Sequence, residues 1–134
     1  EVYEKISSDN GFTRREISDE EITDRCILAL INEGADILSE GVAQRAADID
    51  VVYINGYGFP IWRGGPMHHA NTMGLDVVVD KLNKYYEITG NNAYKPSDLL
   101  IKLAKEGGKL ADSPGDEDRK EKLNFAKSSV AGNF

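Results

Sequence analysis

Residues 18 to 41 carry the strongest structural signal of this 134-residue chain, and they read SDEEITDRCILALINEGADILSEG. Ser18 and Glu21 have the spacing of a capping box, in which the serine oxygen accepts from an unpaired amide of the first turn. Apolar residues then recur every three or four positions, as on one face of a helix. Gly41 is suited to end the helix, because glycine readily adopts the left-handed backbone conformation that closes many helices. The stretch therefore predicts a helix over about 19–40.

The next segment is ambiguous in its local preferences. Val51-Val52-Tyr53-Ile54 is β-branched and aromatic, which favours a strand. Ile49, Val52, Tyr53 and Gly56 also fit one helical face. We predict a short helix over about 46–55.

Helical patterns continue downstream of Gly65. Pro66 fits the first position of a helix to Met73, because proline there gives up an amide that has no partner in any case. The segment 75–88 repeats its apolar residues at three and four. Ser97 is expected to cap a last helix, which Gly107 closes. The sum is four or five helices and no sheet, so the predicted fold class is all-α, a small helical bundle.

Composition divides the chain into three parts. Residues 1–17 are polar and are expected to form a linker or arm, with a turn or loop at Ser7–Gly11. Residues 18–111 hold the helical patterns and form the predicted domain. From residue 112 a breaker and a charge run begin a polar tail, 112–134.

The charge balance and the apolar runs exclude some classes of partner. Lys and Arg number 16 and Asp and Glu 23, for a net charge of −7, which argues against nucleic-acid binding. The longest apolar run, 26–31, is far shorter than the ~20 residues of a membrane span. The first residues lack the basic and apolar regions of a signal peptide.

No motif for a nucleotide or a metal is complete. The segment Gly56-Tyr57-Gly58-Phe59-Pro60-Ile61 approaches a dinucleotide fingerprint, but Ile61 stands where the third glycine belongs. We therefore expect no cofactor bound by this chain alone. His68 and His69 point in different directions on a helix, and neither has a ligand at metal spacing, so no metal site is predicted. For Cys26, a buried and inert cysteine is favoured over a nucleophile.

Two stretches are candidates for function. Asn32-Glu33 lies among apolar neighbours, and a polar network from the helix to the loop, with Arg25 or Arg45 as the charged partner, is favoured over a ligand contact. The loop 56–66 combines glycines with large apolar residues and Arg63, which could pair with a phosphate or carboxylate. A loop that packs its aromatics on the core or on a partner is favoured over a small-molecule site.

These stretches together resemble a known family. From about 18 to 110 the chain resembles the C-terminal helical domain of 3-hydroxyacyl-CoA dehydrogenases, most of all the second copy in multifunctional β-oxidation enzymes. The resemblance is carried by Asp24-Arg25, Asn32-Glu33-Gly34-Ala35, Leu38, Glu40-Gly41-Val42-Ala43, Asp48-Ile49-Asp50, Gly56-Tyr57-Gly58-Phe59-Pro60 and Gly64-Gly65-Pro66-Met67. The residues of family motif and expected interface are Asn32, Glu33, Gly56, Gly58, Phe59, Pro60, Trp62, Arg63, Gly64, Gly65 and Pro66.

The resemblance implies a role without catalytic residues. In the family, NAD and a histidine–glutamate pair belong to a Rossmann domain that precedes this one, so NAD is expected only in the parent enzyme. The family's helical domain holds substrate with an asparagine, and Asp24 stands at that position here. A carboxylate only accepts hydrogen bonds, so it cannot replace the amide donor. We expect no catalytic residue in this chain, which alone should be inactive.

The resemblance also implies partners and a location. The expected partners are the upstream dehydrogenase domains, with acyl-CoA bound only in the parent; pairing with a second copy through an exposed apolar patch is a further expectation. The alternative function is a free-standing helical interaction module. A weaker hypothesis has Arg63 and its loop bind CoA directly. Residues 131–134 are not the Ser-Lys-Leu of many peroxisomal members, so the expected location is cytoplasmic.

Overall fold

The structure, a computed structural model, describes residues 2–112, and within that range it is all-α. The fold class and the predicted helices are confirmed, including the strand-prone segment around Val52, which is helical. The helices are α1 (Val2–Asp9), α2 (Asp19–Ser39), α3 (Ala46–Gly56), α4 (Pro66–Met73), α5 (Leu75–Thr89) and α6 (Asp98–Glu106). Short 3-10 turns span Ile61–Arg63, Asn92–Tyr94 and Leu110–Asp112. None of the described helices is long and apolar enough to cross a membrane.

Helix α2 is the central element, and it contacts α3, α4, α5 and α6. Leu28, Ile31 and Ala35 on its inner face are fully buried. The helix ends in a Schellman motif: Gly41 has φ 71°, its N–H donates to Leu38, and Val42 N–H donates to the carbonyl of Ile37. The apolar repeat of the sequence therefore marks the side of α2 that the other helices cover.

The start of α2 forms only half of the predicted capping box. The Ser18 oxygen accepts from Glu21 N–H at 3.2 Å, as expected. The Glu21 carboxylate does not complete the box, because it forms an ion pair with Arg15 on the preceding segment. The cap therefore ties the segment before α2 to the first turn of the helix.

Cys26 is exposed, so the prediction of a buried cysteine is wrong. It is two positions from Leu28, and a two-residue step turns about 200° around a helix. Cys26 therefore lies on the side of α2 away from the core.

Helices α2 and α4 approach each other closely at Gly34. A Cβ at Gly34 would overlap the terminal methyl of Met67, whose side chain is fully buried. The glycine of the Asn-Glu-Gly-Ala motif thus leaves the space that the Met67 thioether fills.

The arm before α2 is partly helical. Helix α1 runs to Asp9, so the turn predicted at Ser7–Gly11 is confined to Asn10 and Gly11. The φ angle of Gly11 is 70°. Ser7 Oγ donates to the Tyr3 carbonyl at 2.9 Å, as a helical side chain does. No residue of α1 is buried. The division at 17 and 111 stays a prediction, and residues 113–134 of the predicted tail lie outside the described part.

Ser97 does not cap α6 with its side chain, which corrects a second prediction. It occupies the N-cap position, but its buried Oγ has no hydrogen-bond partner among the described residues. Its backbone N–H donates instead to Asn32 Oδ1 at 2.8 Å. The start of α6 is therefore held by α2, from a distance of 65 residues in sequence.

Candidate functional site

The loop between α3 and α4 is fixed at both ends. Phe59 is buried, and its N–H donates to the Tyr53 carbonyl at 3.0 Å, following Gly58 with φ 70°. The 3-10 turn then carries Pro60 to Gly64, with the Arg63 N–H donating to the Pro60 carbonyl at 2.9 Å. The glycines bend the chain, and Phe59 attaches the bend to the body of the domain.

Three large side chains of this loop point away from the core. Tyr57, Ile61 and Trp62 are each about 75% exposed. Of the loop aromatics expected to pack on the core or on a partner, Phe59 packs on the core, and Trp62 does not. A partner contact of Trp62 stays a prediction. A turn of three residues displays its side chains around its axis, so only part of the loop can face inward.

The Gly64-Gly65-Pro66 motif joins the loop to the start of α4. Pro66 is buried and has no N–H, so the first donors of α4 belong to the next two residues. Asp50 on α3 accepts both, from Met67 N–H at 2.7 Å and from His68 N–H at 3.1 Å. A Cβ at Gly65, where φ is 93°, would overlap this carboxylate.

Burial raises the pKa of Asp50 above its ordinary value, although the hydrogen bonds from the two amides act to lower it.

The three residues of the Asp48-Ile49-Asp50 motif have separate roles. Asp48 pairs with Arg45 at 2.6 Å, Ile49 is buried in the core, and Asp50 caps α4. The role of Asp50 was not predicted; a signal was present, because α4 begins with a proline and has no capping side chain just before it.

Arg63 lies between an aromatic ring and a histidine. Its guanidinium carbon is 4.5 Å from the centroid of the Trp62 ring. Its Nη1 is 3.3 Å from Nε2 of His69. Arginine can only donate, so in this contact Nε2 accepts and the ring is neutral with its proton on Nδ1. Burial, then the charges of Arg63 and His68, lower the pKa of His69, which favours that neutral form.

Asp24 accepts hydrogen bonds from two side chains of α5. Its Oδ2 accepts from Lys81 Nζ at 2.6 Å and from the Tyr85 hydroxyl at 3.4 Å. The hydrogen bond from Lys81 to Asp24 raises the pKa of Lys81. Burial, followed by the charge of Asp24, raises the pKa of Tyr85. Neither partner was predicted, because a spacing of about 60 residues leaves no mark on local sequence.

A cleft of about 350 Å³ separates Asp24 from the loop. Ile27 and Met73 form part of its apolar wall, while Arg63 and His69 stand opposite the acidic start of α2. No group of three His, Cys, Asp or Glu residues within 2–112 is placed to hold a metal ion. The cleft thus carries charge of both signs, and one of its acids, Asp24, is already paired with Lys81.

Asn32 is buried and serves the fold. Its amide donates to the carbonyls of Ala93 and Lys95, at 3.2 and 2.8 Å. The predicted polar network exists, but its partners are backbone groups of segment 93–97, so the prediction of Arg25 or Arg45 as the partner is wrong.

The two arginines have other partners, and the neighbour of Asn32 faces outward. Arg25 Nη1 lies 3.7 Å from Glu21 Oε1, and Arg45 forms an ion pair with Asp48. Glu33 is exposed. Adjacent helix positions are about 100° apart, which separates the buried amide from the exposed carboxylate.

The eleven predicted interface residues differ in burial. Four are buried within the domain, two are partly buried and five are exposed: Asn32, Phe59, Gly65 and Pro66 are buried, Arg63 and Gly64 are partly buried, and Glu33, Gly56, Gly58, Pro60 and Trp62 are exposed. Sequence reasoning did not select Tyr57, although it is as exposed as Trp62.

Comparison with known proteins gives one family. A model described as "3-hydroxyacyl-CoA dehydrogenase, C-terminal domain" matches residues 22–116. The human peroxisomal bifunctional enzyme is 50% identical over 94 residues, which are 69% of this chain and 13% of that protein. The zebrafish (Danio rerio) enzyme of the same name is 44% identical over 107 residues, 79% of this chain and 15% of that protein.

A bacterial relative is similar over the same extent. The fatty acid oxidation complex subunit alpha of Vibrio cholerae is 38% identical over 94 residues, 70% of this chain and 13% of that protein. The chain thus spans about one seventh of the length of these relatives.

The prediction of a cytoplasmic location is wrong. The relatives at 50% and 44% identity are named as peroxisomal enzymes. The prediction depended on the last residues of the sequence. A targeting tripeptide is an address read by a receptor, and the folded domain holds no trace of it.

Proposed function

Because the chain belongs to the family of the 3-hydroxyacyl-CoA dehydrogenase C-terminal domain, we propose that it is a supporting domain of a multifunctional fatty-acid β-oxidation enzyme. Its relatives carry the matching segment within chains about seven times longer. In the parent enzyme the preceding dehydrogenase portion binds NAD and holds the reacting groups. This domain packs against that portion and supports the acyl-CoA groove. The names of the most similar relatives favour a peroxisomal parent.

The ion pair of Asp24 with Lys81 is the observation that carries this proposal. The resemblance gives that position to an asparagine that holds substrate by donating a hydrogen bond. Here the side chain is an acceptor, and Lys81 and the Tyr85 hydroxyl already donate to it. A paired carboxylate offers a substrate oxygen no donor, so the position supports the fold and not the reaction.

A free-standing interaction module is not favoured. The relatives at 38 to 50% identity contain this segment as only 13 to 15% of their length. A supporting domain is expected to occur within a longer enzyme chain, whereas a module with an independent role has no need of one.

The proposal is tested by oxidation of 3-hydroxyacyl-CoA with NAD. The purified chain is expected to form no NADH above the blank, since neither NAD nor the reacting groups are held by it. Turnover by the pure chain would overturn the proposal.

A variant of the full-length parent separates support from substrate binding. Asp24→Asn restores the amide of the family motif, and we expect kcat and KM to stay within about twofold of the original. Glu20→Gln, on the same turn of α2, is the matched control. A change of KM in Asp24→Asn alone would show that this position holds substrate.

A further inference from the structure

One surface of the domain combines exposed apolar area with a cation. We define the Trp62 surface as Tyr57, Ile61, Trp62 and Arg63. The first three are each about three-quarters exposed. Tryptophan, tyrosine and arginine are the residue types enriched where binding energy concentrates in protein interfaces. The composition of this surface therefore favours contact with another protein body.

The Trp62 surface is already rigid. Phe59 anchors the loop in the body of the domain, and backbone hydrogen bonds close the 3-10 turn on either side of Trp62. The Arg63 guanidinium lies 4.5 Å from the Trp62 ring centroid, which restricts both side chains. Binding through a preformed surface loses little conformational entropy.

Arg63 also defines the chemistry of the partner. Among residues 2–112 its guanidinium contacts the Trp62 ring and His69, and no carboxylate lies within ion-pair distance. The complement of this surface is an apolar recess for Trp62 and Ile61, with a carboxylate beside it for Arg63.

The exposed area of the Trp62 surface favours a partner in the same polypeptide. Three exposed side chains of this size present on the order of 400 Å². A stable interface between free proteins buries about 800 Å² on each side. A domain tethered to its partner needs less, because the tether gives an effective concentration in the millimolar range. The relatives place this segment in such a tethered arrangement.

A second copy of the chain fits this surface less well. Two-fold pairing sets the same patch against itself, so Arg63 would approach Arg63. The four residues of the surface supply no carboxylate in return. In a homodimer through these four residues, the surface itself would therefore supply no carboxylate to either Arg63.

We propose that the Trp62 surface is the face by which this domain docks on the preceding dehydrogenase portion of its parent chain. Trp62 and Ile61 enter an apolar recess there, and Arg63 faces a carboxylate. The inference rests on the proposed function and assigns it a surface. The other candidate residues, Asn32, Phe59, Gly65 and Pro66, act within the domain.

Hydroxyl-radical labelling read by mass spectrometry tests the docking in the full-length parent. Trp62 is the single tryptophan of this chain and reacts readily when exposed. Its labelling rate is expected to be roughly fivefold lower in the parent than in the isolated chain, because interface centres are fully desolvated. Ile88, 58% exposed on α5, is the control and keeps its rate. Equal Trp62 labelling in both proteins would overturn the inference.

The isolated chain distinguishes the rival occupant. Its Trp62 labelling is expected to be independent of protein concentration. A rate that falls with concentration, together with a dimer in sedimentation, would assign the surface to a second copy and overturn the inference. Neither result contradicts the proposed function, which is contradicted only by NADH formation by the pure chain or by a changed KM in Asp24→Asn.

Paired isoleucine variants supply a second readout. Ile61→Ala is expected to restore Trp62 labelling in the parent by at least about twofold, because it weakens docking. Ile88→Ala is expected to leave labelling unchanged. Both variants are expected to leave the stability of the isolated chain unchanged, because both side chains are exposed. Equal effects of the two variants would contradict the docking surface.

Discussion

The side chain of Asn32 and the backbone of Ser97 are joined by a hydrogen bond of 2.8 Å, and this bond fixes the start of α6 against the middle of α2. The same amide group donates to the carbonyls of Ala93 and Lys95. One buried side chain therefore holds the whole connection before α6. Asn32 is only 4% exposed, so no water replaces it at low cost.

Asn32→Ala is expected to destabilise the domain by roughly 2–4 kcal/mol, because it leaves buried backbone groups unpaired. Urea unfolding of the isolated chain measures the change. Asn32→Asp keeps the acceptor for Ser97 and loses both donors, so it should also destabilise. Glu33→Ala, at the exposed neighbouring position, is the control and should change stability by less than about 0.5 kcal/mol. Equal effects at the two positions would refute the assignment.

Gly34→Val is expected to destabilise by roughly 2–3 kcal/mol, because the new side chain overlaps Met67 in the packed core. Gly56→Ala is the matched control. Gly56 is also helical, and a Cβ there meets nothing within 4 Å. The control should be neutral or slightly stabilising, since alanine favours a helix. Thermal unfolding of both variants measures whether steric overlap or helix propensity determines the effect of replacing each glycine.

Asp24→Asn is expected to cost about 0.5–1 kcal/mol near neutral pH, because it removes a partly exposed ion pair with Lys81. Asp24 raises the pKa of Lys81 above 10.5. A raised lysine pKa gives stability that is complete below 10.5 and is lost as pH rises through the folded value. The difference between the two proteins should therefore shrink above pH 10.5. Urea unfolding from pH 7 to 12 measures it, and a constant difference would contradict the pairing.

His69 is expected to titrate below 6.5 in the folded chain, since burial and the charge of Arg63 lower its pKa. The folded state then binds fewer protons, so stability is lost as pH falls from 6.5 through the lowered value. Arg63→Gln should raise the pKa of His69 without restoring 6.5, because burial remains.

NMR titration of the two histidines reads these values directly. His68→Gln assigns the signals, and Arg45→Gln is the control, because Arg45 pairs with Asp48 and does not affect the pKa of His69. An unchanged His69 titration in Arg63→Gln would show that the two side chains do not interact in solution.

The order and approximate ends of α2 to α6 could be predicted from local sequence, whereas α1 lies in the predicted arm. Ser18, Gly41, Pro66 and Gly90 mark helix ends by their own backbone chemistry, which needs no distant partner. The structure places a helix boundary within two residues of each of them. The segment around Val52 fits both a strand preference and a helical period, and the family resemblance favours the helix. The structure has a helix there, with Ile49 packed in the core.

The site depended on contacts that local sequence does not encode. Asp24 meets Lys81, Asp50 meets the amides of α4, and Asn32 meets Ser97 across spacings of 17 to 65 residues. Hydrogen-bond partners at such separations are chosen by how the helices pack, so composition and periodicity cannot name them.

The amino-acid sequence by itself determined α2 to α6, their approximate ends and the family, because caps, glycines and apolar periods act within a few residues. Only the tertiary structure decided which side chains face outward: Cys26 and Trp62 lie at the surface, while Asn32 and Phe59 are buried. Exposure depends on which neighbours cover a residue, and covering is a property of the packed helices rather than of any one segment.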